Sequence, residues 1–402
     1  MKNRWAVALA GTVAMICLGT VYSWSVFTQP LIASFGWSNT TTTWTFAVAI
    51  FFLGVGAIIG GRWQDRAGPR PPAVTGLILW GVGNILAGIG THALGAWWIY
   101  LTYGVIGGIG LGLGYITPVA AVTKWFPDKR GVGSGMVVMG FGLGAFFYSN
   151  ILKAVPAFTA ASREAGRVAT ARASAIAHGT PFDMATMGMR PESVSAIMTT
   201  FIVSGVIFAI VGGLCAAYVT NPPAGYTMPG ATAAAAAQGP NRTPAEAART
   251  WQFYALWLML FLNVTAGILF ISNAVPIMRE LTGAAPATAL GIYGLIAIFN
   301  GLGRFFWGAV SDRIGRNWAY ILIYGWILLA WGVGGIVGPI FTALVKDITG
   351  SFAGSLVPIA VMLIVAMILP IVTRRPSQAR VEPPRRPSTR RDEVETGPTM
   401  NP

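Results

Sequence analysis

Charge is scarce in this chain: only 10% of its 402 residues are Asp, Glu, Lys or Arg, against roughly 25% in a soluble globular domain. A water-soluble fold so poor in charge would expose large apolar patches, which excludes an ordinary soluble protein. Cysteine is scarcer still. Cys17 and Cys215 both fall in apolar runs, supply no disulfide framework, and read as small buried hydrophobes. Histidine is limited to His92 and His178, and neither they nor any of the 13 acidic residues falls in mid-membrane. No His or Cys set has metal-ligand spacing, and there is no Ser-His-Asp candidate and no buried carboxylate pair. A membrane-embedded enzyme, a metal site and a cofactor site are therefore not expected. Proton-coupled carriers typically need a buried titratable group, so the same absence favours exchange or facilitated diffusion.

What the chain does have is apolar surface and small residues. Hydrophobic residues make up 54% and glycine numbers 51. Helices in lipid are held by close packing, which small residues permit. A bilayer core takes about 20 apolar helical residues, and ten candidate spans meet that length: 5–29, 42–61, 72–91, 96–122, 131–152, 196–219, 251–278, 287–310, 318–345 and 349–373. Met1 to Arg4 followed by an apolar run imitates a signal peptide, but the run reads as a retained first helix. The fold expected is an all-α polytopic membrane protein.

The net charge of +14 does not point to nucleic acid, because the cations sit in short loops and one tail instead of on a continuous face. They do set orientation. With the N-terminus in the cytoplasm, cytoplasmic segments hold 19 Lys and Arg and external ones hold 7, five of those in one loop, 153–195. Both ends then lie in the cytoplasm and the chain is a multi-pass inner-membrane (plasma-membrane) protein. The loop 153–195 is expected to be a partly helical external cap without chemistry. Residues 221–250 read as a cytoplasmic linker, and 374–402, rich in Arg and Pro without an apolar stripe, as a disordered tail.

An internal repeat organises the spans. Gly61-Arg62-Trp63-Gln64-Asp65-Arg66-Ala67-Gly68 follows the second span, and Gly308-Ala309-Val310-Ser311-Asp312-Arg313-Ile314-Gly315 follows the eighth, at an offset of 247. Gly54 and Gly56 match Gly301 and Gly303 at the same offset, so a repeat is far likelier than coincidence. The glycines permit a tight turn, and the Asp can accept backbone or Arg hydrogen bonds at helix ends. Asp65, Arg66, Asp312 and Arg313 are thus candidates for a latch between two states. The bland alternative is a basic turn that only fixes topology.

This duplicated loop resembles the signature of the major facilitator superfamily. The resemblance implies two six-helix bundles around a midplane site, rocking to give alternating access. A second match departs from that pattern. Gly135, Gly142 and Gly144 correspond to Gly325, Gly332 and Gly334 at an offset of 190, which is 57 less than 247. The second half is expected to lack two helices. The expected domains are a six-helix bundle 1–220, the linker 221–250, a four-helix bundle 251–373 and the tail 374–402. A monomer is expected, with dimerisation as a possible compensation for the missing helices.

Three runs narrow the resemblance: Gly19-Thr20-Val21-Tyr22-Ser23-Trp24-Ser25-Val26-Phe27, Tyr324 to Pro339, and Asn300-Gly301-Leu302-Gly303-Arg304. Together they resemble the oxalate/formate antiporter family. The resemblance implies that Arg304 is the substrate-carboxylate residue, and that Trp331 stands where oxalate carriers add a lysine. One cation suits a monocarboxylate, such as formate or lactate, better than oxalate.

Arg304 also stands out on physical grounds. It lies eight residues before Asp312, so roughly 12 Å deeper along a helix, where an Arg costs at least ~2.5 kcal/mol. Its repeat counterpart is Ala57, so the fold does not demand the charge. A guanidinium binds carboxylate bidentately. Its alternative is an Arg paired to a neighbouring helix or snorkelling to the interface. Tyr22, Tyr115, Trp44 and Trp331 are candidate walls of the same pocket, although Trp and Tyr also fill cores and interfacial belts. Trp24 lies roughly 200° around the helix from Tyr22. The function expected is transport of a small organic anion. The alternative is a non-transporting receptor or scaffold derived from a transporter.

Overall fold

The computed structural model describes residues 2–226, 246, 248–283, 286–314 and 324–372, and among them there is no β-strand. The long helices are α1 (Arg4–Phe35), α2 (Asn39–Ala67), α3 (Arg70–Leu94), α4 (Ala96–Trp125), α5 (Arg130–Lys153), α6 (Pro156–Ala177), α7 (Pro191–Tyr218), α8 (Trp251–Thr282), α9 (Pro286–Ile314), α10 (Tyr324–Thr349) and α11 (Leu356–Val372). Among the described residues, seven apolar helices are long enough to cross a membrane: α1 to α5, α7 and the first part of α8. The helices α9, α10 and α11 fall at the last three expected spans. The expected tail 374–402 and most of the expected linker lie outside the described residues.

Local chemistry sets the helix ends. Asn3 accepts from the Trp5 amide to start α1, and Ser38 accepts from the Thr41 amide to start α2, each satisfying an otherwise orphaned donor. Gly36 closes α1 at a φ of 70°, a left-handed conformation that glycine adopts without strain. The Arg4–Asp128 ion pair sets the start of α1 beside the start of α5, where Asp312 also brings the end of α9, while Asp347 sets the end of α10 beside the start of α2 at the opposite face.

The helices approach closely where glycine allows it. At Gly142 an added Cβ would lie 2.7 Å from the Gly301 Cα, and at Gly308 one would lie 2.5 Å from the Gly131 carbonyl oxygen. The α5 and α9 backbones therefore touch, as expected where packing rather than hydrophobicity joins helices. The repeat pair Gly56 and Gly303 behaves differently. A Cβ at Gly56 would lie 2.4 Å from the Ile109 carbonyl oxygen of α4, but one at Gly303 would meet nothing within 4 Å among the described residues. Leu295 and Phe299 beside Gly303 are 55% and 75% exposed. On α9, nothing described takes the place that α4 takes on α2.

Two carboxylates tie the later helices to the earlier ones, at opposite faces. At the end of α9, Asp312 accepts from the backbone amides of Gly131 and Val132, at 2.7 and 2.9 Å. At the end of α10, Asp347 accepts from the Thr40 amide at 3.0 Å, the Thr40 hydroxyl at 2.6 Å and the Asn39 side-chain amide at 3.1 Å. Each therefore caps a helix N-terminus, where the backbone dipole favours an anion.

The segment 153–195, expected to be partly helical, contains the helix α6. Phe158 of α6 packs edge-on to Phe27 at 5.4 Å. Glu164 of α6 accepts from the Arg190 amide at 2.8 Å, from its guanidinium at 3.1 Å and from the Ser193 hydroxyl at 2.6 Å. Burial alone would raise the Glu164 carboxyl, but the Ser193 and Arg190 hydrogen bonds outweigh it and hold the group at about 2, against an ordinary 4.5.

Candidate functional site

The site is built on an interruption of α1. Its helical hydrogen bonding tightens to a 3-10 turn at Thr20–Ser23, inside the glycine-led run that the sequence singles out. Gly19 is there because α5 presses against it: an added Cβ would sit 2.0 Å from the Phe141 carbonyl oxygen. A tightened turn disturbs the regular pairing of carbonyls, and in a dry interior each carbonyl needs another donor. The Tyr293 hydroxyl of α9 donates to the Tyr22 carbonyl.

One face of α9 supplies the other wall. Tyr293, Ala297, Asn300 and Arg304 recur at spacings of four, three and four, which places them on one stripe of a helix. Tyr22, Gly142, Ile271, Tyr293, Ala297 and Asn300 help line a small cavity of about 10 Å³. The half-buried Arg304 interacts with the buried Tyr22 through a side-chain hydrogen bond. The Phe141 ring lies edge-on to both Tyr22 and Tyr115, with centroids at 5.0 and 5.1 Å. A cation, aromatic hydroxyls and an amide thus converge where α1, α5 and α9 meet.

Of the residues that the sequence picks out, this arrangement brings together Arg304, Tyr22 and Tyr115. Trp44 does not line the cavity and is 38% exposed. Trp331 falls within α10, and its side chain lies outside the described residues, as does that of Arg313. Asp65 and Arg66 are exposed at the end of α2, whereas Asp312 is half-buried at its cap on α5. Trp24 is buried against Tyr103, 4.9 Å between ring centroids, away from the cavity. Sequence reasoning missed Tyr293, Asn300 and Phe141. The first two carried a signal, since they share the helical face of Arg304. Phe141 carried none beyond its place between glycines. Among the described residues no group of three His, Cys, Asp or Glu could hold a metal ion.

The comparisons agree with this architecture. The family model of the Major Facilitator Superfamily matches residues 9–330. The chain is 26% identical over 327 residues to an oxalate:formate antiporter of Oxalobacter formigenes, covering 81% of this chain and 67% of that one. It is 25% identical to apicoplast pyruvate carrier 1 of Toxoplasma gondii, covering 78% and 69%. Among solved structures, the inward-open xylose transporter XylE from E. coli superposes with a TM-score of 0.59 at 12% identity, covering 94% of this chain and 98% of that one. A bacterial homologue of the human lysosomal transporter Spinster, inward-facing and unoccupied, gives 0.51 at 19% identity, covering 92% and 80%. With its helices, its close glycine crossings and a matched region spanning most of its length, this chain belongs to the major facilitator superfamily of membrane transporters.

Proposed function

We propose that the chain carries small organic anions, monocarboxylates above all, by alternating access, with Arg304 as the carboxylate anchor. One observation carries the reading: a guanidinium, costly at this depth, sits beside a cavity between α1 and α9 with the Tyr22 hydroxyl against it. A guanidinium and a phenol together form a donor set for a carboxylate. The apolar remainder of the lining suits one charge better than two. Relatives named for oxalate and formate, for pyruvate and for monocarboxylates support the same cargo class. The chain acts as a carrier without catalysis. Residues 1–220 and 251–373 form its two moving parts. The face where α1 begins lies in the cytoplasm of a cell whose inner membrane holds the protein.

The test is uptake of labelled lactate, formate and oxalate by liposomes containing the purified protein. Arg304→Ala is expected to abolish uptake and Arg304→Lys to retain part of it, since an ammonium keeps the charge without the bidentate fork. Undiminished uptake by Arg304→Ala would remove the anchor from the site.

A further inference from the structure

We propose that α6 and the end of α8 form a second anion site, which captures a small carboxylate ahead of the transport cavity. The proposal takes its ligand class, and the placement of this face outside the cell, from the reading of the chain as an organic-anion carrier. The centre of the site is Arg279, in the last turn of α8. Its Nε atom is buried without a hydrogen-bond partner. In front of the guanidinium stands Gly166 of α6, where an added Cβ would meet only the Arg279 Nη2 within 4 Å, at 3.8 Å. That is ordinary contact, so packing does not demand glycine there, and alanine would make the more stable helix. The glycine leaves a notch against the guanidinium. Arg163 precedes Gly166 by three residues and Arg167 follows Arg163 by four, which places both beside the notch on α6. Both are exposed.

The acids of the neighbourhood are already engaged. Glu164, next to Arg163, accepts from Arg190 and Ser193. Glu280, next to Arg279, accepts from Lys346 and from the Phe352 amide. Among the described residues no carboxylate pairs with Arg163, Arg167 or Arg279. A guanidinium donor withdrawn from water without an acceptor is unfavourable, and a ligand carboxylate supplies that acceptor through two parallel bonds. Arg163 and Arg167 add a positive field that raises the local concentration of anions. The position suits a waiting place. Ile271 of α8 lines the transport cavity, and Arg279 lies eight residues further along the same helix, about 12 Å toward the outer face. The notch is also held in place, because α6 packs on α1 through Phe158 on Phe27 and through Ala165 and Val168 with Ala33.

The experiment measures labelled lactate uptake against lactate concentration, with the full chain in phosphatidylcholine liposomes, which carry no anionic headgroup. Arg163→Gln combined with Arg279→Gln is expected to raise the half-saturating concentration about fivefold, the scale of one strong exposed ion pair. Gly166→Leu fills the notch with every charge in place, and the same rise is expected from it. The gap between variant and unaltered protein should close in high salt, which screens exposed charge. If Arg279→Gln does not fold, Gly166→Leu and Arg163→Gln decide. Half-saturation unchanged in these variants, or a fall in maximal rate alone, would overturn the site. So would a rise that appears only with phosphatidylglycerol in the liposomes, since the cluster would then hold a lipid headgroup. The two readings fail separately. Uptake abolished by Arg304→Ala but indifferent to the cluster variants removes the outer site alone. Uptake that survives Arg304→Ala yet loses affinity in the cluster variants removes the anchor and keeps the outer site.

Discussion

The two carboxylate caps lend themselves to a quantitative test. Asp347 accepts three hydrogen bonds from the first residues of α2, and Asp312 accepts two from the first residues of α5. Each bond joins a helix before residue 226 to one after residue 250, at opposite faces. Opening one face pulls its own cap apart and leaves the other intact. Losing an N-cap side chain costs about 0.5–2 kcal/mol, and losing the charge at the helix dipole roughly 0.3–1 kcal/mol. Asp347 is exposed, so solvent screening keeps its total near the low end, about 1 kcal/mol. That is roughly a fivefold change in the balance between the two open states. The assay places a single cysteine at Ala145, which lines the cavity and is 1% exposed, after Cys17 and Cys215 are replaced by alanine. Asp347→Ala is expected to raise labelling by a membrane-impermeant maleimide about fivefold from the face where α2 begins, and to lower it from the other. Asp312→Ala is expected to do the reverse. If neither variant shifts the labelling, or both shift it the same way, the caps do not hold the faces shut.

Two further outcomes follow from packing and charge. Gly142→Val inserts a branched side chain where a single Cβ would already lie 2.7 Å from the Gly301 Cα, so α5 and α9 must separate. A loss of about 1–3 kcal/mol of stability, typical of overpacking, should appear as a lower melting temperature in detergent, and an unchanged melt would contradict the backbone contact. Glu164, held near 2 against an ordinary 4.5, gives stability that is fully present above pH 4.5 and lost as pH falls toward 2. Glu164→Gln should therefore make α6 more open to protease at neutral pH than the unaltered protein, with the difference disappearing at low pH.

Much of this fold is legible in the sequence because lipid leaves few choices. Every backbone group must be paired within the span, so long apolar runs read directly as helices, and α1 to α5 need no tertiary information. Arg304 is legible for the same reason, since charge at that depth needs a purpose and its repeat counterpart Ala57 carries none. Asp312 is visible as one copy of a repeated loop, although its partners, the first amides of α5, depend on how α9 crosses α5. Asp347 stands in no motif, and only the packing of α10 on α2 brings it to Thr40. The pocket walls are harder still. Tyr22 and Trp44 look alike in sequence, each an aromatic near a small-residue run, and only the packing of α5 and α9 on α1 buries one while the other stays exposed. The loop helix α6 carries an ambiguous mixture of Ala and Arg, and its order comes from a carboxylate whose partners lie 26 and 29 residues further along.

The donation from Tyr293 to the Tyr22 carbonyl crosses between parts of the molecule that the transport cycle moves apart. When α9 swings away from α1, a carbonyl deep in a dry interior is stranded, and a vacant protein has nothing except water to offer it. The bond therefore favours the state in which α1 and α9 meet at this depth, and only a donor group on whatever enters the cavity would ease their parting.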